Sequence, residues 1–322
     1  MVRGRFSFPF DFRNDVSRFF TVMNHTIMRP VIMTIPFVAC YFLLRSLPVE
    51  PCDFLHEATY NAEGKLDYCG SGDSGFVDLT VRKWPIKMDF RPLDELQIGK
   101  PCRFEIHLKQ FDGSPLSAND VALSHTQKIH LLAIDSSLSD YQHLHPTHDS
   151  LYNGVWHFTL TPKRGGKYSV FLDFIPVRSP RRVLLSASFD VDGDIPKPSS
   201  YHESLKVVRQ DQLFEIQLIR EDEKSDLQLI LTGKSSDGNS LELLPVMGAF
   251  AHMVAFDSKI KGFAHLHPKE NISIESSADS HNGKLTFVFS PPASGHYRLW
   301  AQLKVTGQEN EIYIPFDINI NT

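Results

Sequence analysis

The feature that most restricts what this chain can fold into is a long internal repeat. The segment KIHLLAIDSSLSDYQHLHP (128–146) is echoed by AHMVAFDSKIKGFAHLHP (251–268) at an offset of 122. Downstream, GVWHFTLTPKRGGKY (154–168) is echoed by GKLTFVFSPPASGHY (283–297) at an offset of 129. Spacings inside these blocks agree, because Gly154 to Pro162 equals Gly283 to Pro291, and Pro162 to Gly166 equals Pro291 to Gly295. The seven extra residues of the second copy fall around 271–282, where a surface loop accepts an insertion. Upstream, FEIHLKQFDG (104–113) echoes LQLILTGKSSDG (227–238). Agreement in both order and spacing implies two copies of one ancestral domain. A chain of 322 residues has room for two such domains, each with its own core, and an N-terminal segment besides.

The repeated domain reads as a β-sandwich. Trp156, Phe158 and Leu160 alternate with His157 and Thr159, and Tyr168, Val170 and Leu172 alternate with Ser169 and Phe171. A period of two is that of a strand with one buried face. About seven such runs lie between 77 and 195, and about eight between 205 and 319, separated by Gly, Pro, Asp and Ser. No helical period is sustained in this region. The expected organisation is all-β, with repeat 1 over 77–195, a Pro- and Ser-rich linker over 196–204 and repeat 2 over 205–322.

The N-terminus reads as an address. Residues 31–44 (VIMTIPFVACYFLL) are apolar, lie between Arg29 and Arg45, and follow Arg3, Arg5, Arg13 and Arg18. The arginine excess predicts a cytoplasmic segment over 1–29, a transmembrane anchor or signal-anchor over 30–47, and an extracytoplasmic, periplasmic remainder beginning with a linker over 48–76. Fourteen apolar residues are short for a span of ~20, so the flanks must extend it. No small-residue cleavage site follows, which favours an uncleaved anchor over a removed signal peptide. The string around Cys40 resembles a lipobox only faintly, since Tyr-Phe-Leu-Leu follows it; a start at Met28 is the other way to explain the long leader. Cys52 and Cys69 bracket a polar stretch and could pair in an oxidising compartment, whereas Cys102 reads as a small buried hydrophobe.

The chemistry concentrates in histidine. Each repeat carries His-x12-His-x-His-Pro: His130, His143 and His145 in the first, His252, His265 and His267 in the second. A hairpin with strands over 128–135 and 141–145 and a turn near 136–140 puts all three on one face, with His130 close to opposite His145. The second copy keeps this parity, with Gly262 where the first has Asp140, both types that tolerate a left-handed turn residue. Three converging imidazoles can ligate copper or zinc. The competing reading is structural: the same faces carry Leu132, Ile134 and Tyr141, or Val254, Phe256 and Phe263, which suits a core face pinned by hydrogen-bonded histidines. His125, His148, His157, His281 and His296 have no counterpart in the other repeat and read mostly as solvated. Asp173 and Gln302 occupy equivalent positions and are candidates for a supporting or fourth-ligand role.

The order His, hairpin, HLHP and Gly-x-Tyr-x-Leu resembles that of bacterial secreted or membrane-anchored YtkA-like and related proteins found near heavy-metal (copper) efflux systems. The resemblance covers 77–319 in two copies. It implies two tandem Ig-like β-sandwich domains, an extracytoplasmic location, metal handling and a membrane or periplasmic metal-transport partner. The metal-binding peptide Cys-Pro-Met-His-Pro of some such proteins is absent, and seven methionines make no copper-relay tract; both weaken a copper-chaperone role.

Other functions find little support in the sequence. A net charge of −5 gives no basic footprint for nucleic acid. The Gly-Asp-Ser-Gly string at 72–75 lies in a Gly-Ser-rich linker without a matching histidine segment, and the Asp-rich run at 190–194 has its glycine misplaced for a calcium loop. Zinc-protease, hydrolase-elbow and nucleotide-binding strings are missing, so no enzyme is expected. Two readings remain: a tethered extracytoplasmic copper- or zinc-binding module, or a non-catalytic scaffolding ectodomain whose histidines are structural.

Overall fold

The computed structural model describes residues 33–47, 75–80, 84–178, 181–195, 202–220, 226–270 and 279–321, with the short strands Thr59–Tyr60 and Leu66–Asp67. Val77–Asp78 forms β1. The first repeat contributes β2 (Ile86–Pro92), β3 (Cys102–Gln110), β4 (Ile129–Asp135), β5 (Tyr141–Leu144), β6 (Val155–Leu160), β7 (Gly166–Phe174) and β8 (Val183–Val191). The second contributes β9 (Lys206–Arg209), β10 (Gln212–Ile219), β11 (Leu227–Lys234), β12 (Ala251–Asp257), β13 (Gly262–Leu266), β14 (Lys284–Phe289), β15 (Gly295–Val305) and β16 (Ile312–Ile320).

Each repeat is a two-sheet sandwich. In the first, the order β8-β7-β4-β5 faces β2-β3-β6, which Thr147–His148 extends. In the second, β16-β15-β12-β13 faces β9-β10-β11-β14. The alternation supplies each core: Phe104 stacks on Phe158 at 4.8 Å beside Trp156, Leu131 and Tyr168, and Phe214, Phe287, Phe289 and Phe316 fill the second. Tyr168, of the Gly-x-Tyr motif, donates its hydroxyl to Asp140 Oδ2 at 2.5 Å, while Tyr297 donates to the Ala293 carbonyl at 2.8 Å. That difference follows from Gly262 replacing Asp140 in the second repeat.

The hairpin strands are buried on both faces, not one. All seven residues of β4 are buried. Leu131 and Ala133 point into their own sandwich, whereas Leu132, Ile134 and Tyr141 pack with Val254, Phe256, Phe263 and Trp300 of the other repeat. The mixed cluster also takes in Phe171 and Leu184, so the two histidine-bearing sheets are glued to each other. The result is four stacked layers with the histidine faces in the middle. Burial of each such Leu or Phe contributes roughly 1.5–3 kcal/mol.

Several expectations change. Among the described residues the N-terminal apolar segment is a helix over 33–46 (α1), which at ~1.5 Å per residue spans about 21 Å. A bilayer core is ~30 Å thick. No described helix is long and apolar enough to cross a membrane. The chain before repeat 1 also crosses over: β1 pairs with β13 of the second repeat through Val77 and Phe263. Position 77 therefore belongs in space to the second sandwich. The left-handed residues of the hairpin loops are Leu138 (φ 61°) and Ile260 (φ 51°), not Asp140 and Gly262. Gly262 is small for a different reason, since a Cβ there would lie 1.7 Å from the Val77 carbonyl oxygen. Cys102 is buried and free, as a lone small hydrophobe should be. The Cys52–Cys69 pair and most of the 196–204 linker lie outside the described residues.

Candidate metal centre

The register of β4 with β5 sets the first triad. Leu132 is opposite His143 and Ile134 opposite Tyr141, which places His130 across from His145 just beyond the last pair and all three rings on one face. In the second repeat Val254 is opposite His265, with the same consequence for His252 and His267. In each triad, one ligand nitrogen per ring lies within 4.8 Å of the others. Each triad can hold a metal ion. His130, His143, His252 and His265 are at most 6% exposed, and His145 and His267 sit at the rim.

The hydrogen bonds fix which nitrogen carries a proton. His130 Nε2 is 2.9 Å from the Ser124 carbonyl and must donate to it, which leaves Nδ1 with its lone pair. Gln302 donates its amide Nε2 to Glu311 at 2.5 Å, so its oxygen is the atom facing His143. His143 Nδ1 donates to that oxygen at 2.8 Å, which leaves Nε2 with its lone pair. The two bare nitrogens, His130 Nδ1 and His143 Nε2, are 3.0 Å apart. His145 Nε2 is buried nearby with no hydrogen-bond partner.

The second triad repeats this logic. His252 Nε2 donates to the Val246 carbonyl at 2.9 Å, and His265 Nδ1 faces Asp173 Oδ2 at 3.5 Å. His252 Nδ1 then confronts His265 Nε2 at 3.4 Å and His267 Nε2 at 3.1 Å. The acceptor carbonyls come from two equivalent tight turns. Both central residues have positive φ, His125 (49°) and Thr126 (66°) in the first, Met247 (50°) and Gly248 (76°) in the second.

Facing lone pairs repel unless a cation lies between them. A shared proton is a poor candidate at neutral pH, because burial, reinforced by the neighbouring imidazoles, pushes the pKa of His130 down to about 4 and that of His143 down to about 3. Burial, with His143 adding to it, likewise brings His145 down to about 3. His252, His265 and His267 are also driven well below the ordinary histidine range, chiefly by burial. Neutral imidazoles with converging lone pairs are what a transition metal requires.

The supporting groups are exchanged between repeats. Asp173 is the strand neighbour of His130, yet its carboxylate faces His265 of the other repeat. Gln302 is the strand neighbour of His252, yet it accepts from His143. Behind them stand residues at equivalent positions, Arg182 and Glu311. Arg182 forms a buried two-pronged pair with Asp173, at 2.7 Å through Nε and closer through its second nitrogen. The sequence pointed to Asp173 and Gln302 through their equivalence, a signal that Arg182 and Glu311 share and that was not read there; the exchange between repeats had no sequence signal.

The remaining histidines divide. His125 is 4% exposed and stacks on His267 with ring centroids 3.8 Å apart, contrary to the expectation of a solvated side chain. Its turn position, required to accommodate a positive φ, aims it at the second triad. His296 is also largely covered and bonds Asp317 at 2.7 Å. His157 bonds Asp149, His148 packs edge-on against Trp156, and His281 is partly exposed beside Phe250 with its Nε2 2.9 Å from the Lys284 carbonyl.

A family described as a domain of unknown function, DUF8832, matches residues 86–191 and again 212–322. The chain belongs to the DUF8832 family. Its two matched segments coincide with the two sandwiches. No curated protein matches the chain. Among solved structures, a DUF4785 family protein from Legionella pneumophila is 12% identical with a TM-score of 0.24, covering 73% of this chain and 57% of its own. MtrC from Shewanella baltica is 8% identical with a TM-score of 0.21, covering 71% and 68%. Red sea bream transglutaminase is 7% identical with a TM-score of 0.21, covering 75% and 32%. The chain thus spans little more than half of the Legionella protein.

Proposed function

We propose that the two triads bind copper or zinc, and that this DUF8832 protein buffers or presents such ions outside the cytoplasm, tethered through its N-terminal apolar segment. The supporting observation is the pair of bare nitrogens, His130 Nδ1 and His143 Nε2, facing each other at 3.0 Å with both far nitrogens already engaged. An imidazole set suits zinc and copper, and three protein ligands leave a coordination position for a transferable ion's next ligand. Tethering is supported by the arginine-flanked apolar segment, whose Met33, Phe37, Phe42 and Leu43 are exposed on α1. The role is binding and hand-over, with a metal-transport partner as recipient, and not turnover.

The scaffolding alternative draws on one observation, the bonds from His130 and His252 to backbone carbonyls. Those bonds use the nitrogens that point away from the triads, so they also orient metal ligands, as bonds from a ligand's far nitrogen commonly do. Metal titration of the full chain separates the two. We expect two ions per chain, falling to one in His143→Ala/His145→Ala. Absence of histidine-dependent binding at micromolar metal leaves only the scaffold.

A further inference from the structure

The two triads are not separate sites on separate domains. His130 and His265 have ring centroids 5.6 Å apart, His143 and His265 5.5 Å, and His143 and His252 5.8 Å. Within a triad the corresponding separations are 4.8–5.5 Å. Rings of different repeats are thus packed almost as closely as rings of the same one. We infer that the six histidines form one coupled two-ion centre, in which the first repeat's triad fills before the second's and each ion weakens the binding of the other. This rests on the metal-binding reading above.

Coupling follows from charge. Neutral imidazoles bring no negative charge to offset the ions, the Asp173 carboxylate is already paired with Arg182, and Glu311 stands one residue further out, behind Gln302. Two dications in adjoining buried triads therefore repel with little compensation or screening.

The order follows from what stands behind each triad. His143 is held at 2.8 Å by Gln302, which is itself bonded to Glu311, so the group behind the first triad carries a net negative charge. His265 is 3.5 Å from Asp173, whose charge Arg182 cancels, so the group behind the second triad is close to neutral. Approach differs too. His145 lines a cleft of about 480 Å³ with Leu144, Thr147 and His157, and His143 lines another of about 630 Å³ between the repeats. His265 and His267 reach only a slot of about 10 Å³, which they share with His130.

The test uses the full chain and Zn(II), read by calorimetric titration, with Cu(II) read by electron spin resonance. Wild type is expected to bind two Zn(II) ions with stepwise constants at least about tenfold apart, the scale on which supporting shells tune such sites. His145→Gln removes a rim ligand that makes no hydrogen bond, so it should keep one ion, held on the second triad about tenfold or more tighter than wild type's second ion. His267→Gln should leave wild type's first constant unchanged. With Cu(I) the stepwise gap should narrow, because the product of the two charges falls about fourfold. At two equivalents of Cu(II) the spectrum should lose intensity or broaden relative to one equivalent. Two equal, independent constants, or a two-equivalent spectrum that is the sum of isolated copper signals, overturns the coupled centre while leaving metal binding intact. These wild-type readings decide the matter even if a variant fails to fold. No binding at all overturns both proposals.

Discussion

At the scale of single residues, the decisive feature is that His130 and His143 are neutral in a place where neutrality is uncomfortable. In the metal-free protein they take up protons only near pH 4 and pH 3, whereas an unfolded chain does so near 6.5. Between those values the unfolded state binds more protons, so folding stability is greatest above pH 6.5 and falls as pH drops toward 4. Each of the two histidines contributes a slope of up to about 1.4 kcal/mol per pH unit. Urea midpoints of metal-free protein at pH 7.5, 6 and 5 should decline accordingly, and a flat profile contradicts the burial argument. A second prediction concerns Arg182. Replacing it with Leu strands the buried Asp173 carboxylate and should cost roughly 3–5 kcal/mol in chemical denaturation, whereas Asp173→Leu/Arg182→Leu should recover most of that. The histidine trios themselves were legible in the sequence, since strand parity and a short turn suffice to put three rings on one face. Asp173 and Gln302 were legible as well, through their equivalent positions, but not which triad each supports, because each crosses to the opposite repeat. His125 was missed because its counterpart is Met247, so repetition, the signal that exposed the triads, is silent there.

At the scale of elements, sequence alternation identified the sandwiches but understated the burial of β4 and β12. A period of two marks one face as apolar; in β4 the second face, carrying His130, Leu132 and Ile134, is covered by the other repeat. The sequence hinted at this, since that face is itself largely apolar. Turn chemistry misled for a related reason. Leu138 adopts φ 61° because its side chain is wholly buried and Asp135 fastens the loop, accepting from the backbone nitrogens of Ser137, Ser139 and Asp140 at 2.7–2.9 Å. Tertiary packing there outweighs the preference for Gly or Asn. Gly262 instead records the close approach of β1. Gly262→Ala forces a methyl group onto the Val77 carbonyl, so β1 must detach. We expect a loss of about 1–3 kcal/mol, with faster amide exchange confined to 75–79. Exchange spread evenly over both sandwiches would contradict β1 as a separable strap.

At the scale of the whole molecule, the duplication has become an obligate pairing. Leu132, Ile134, Phe171, Val254, Phe256 and Phe263 form one apolar cluster that neither repeat can bury alone, and each triad depends on a side chain from its partner. Either sandwich by itself would expose that face to water. Unfolding of the described sandwiches should therefore be a single cooperative calorimetric transition, and Phe256→Ala should lower it as a whole by roughly 3–5 kcal/mol, the usual cost of emptying a packed aromatic site. Metal makes the same point from the other direction. An ion present at about 100 times its dissociation constant stabilises the state that binds it by ~2.7 kcal/mol. Because each triad is held in place by both repeats, zinc bound at either one should raise the transition of the entire molecule. A scan in which zinc moves only half of the unfolding heat, leaving a second peak behind, shows that the repeats fold independently. The exchanged contacts Asp173–His265 and His143–Gln302 would then be incidental to the metal centre.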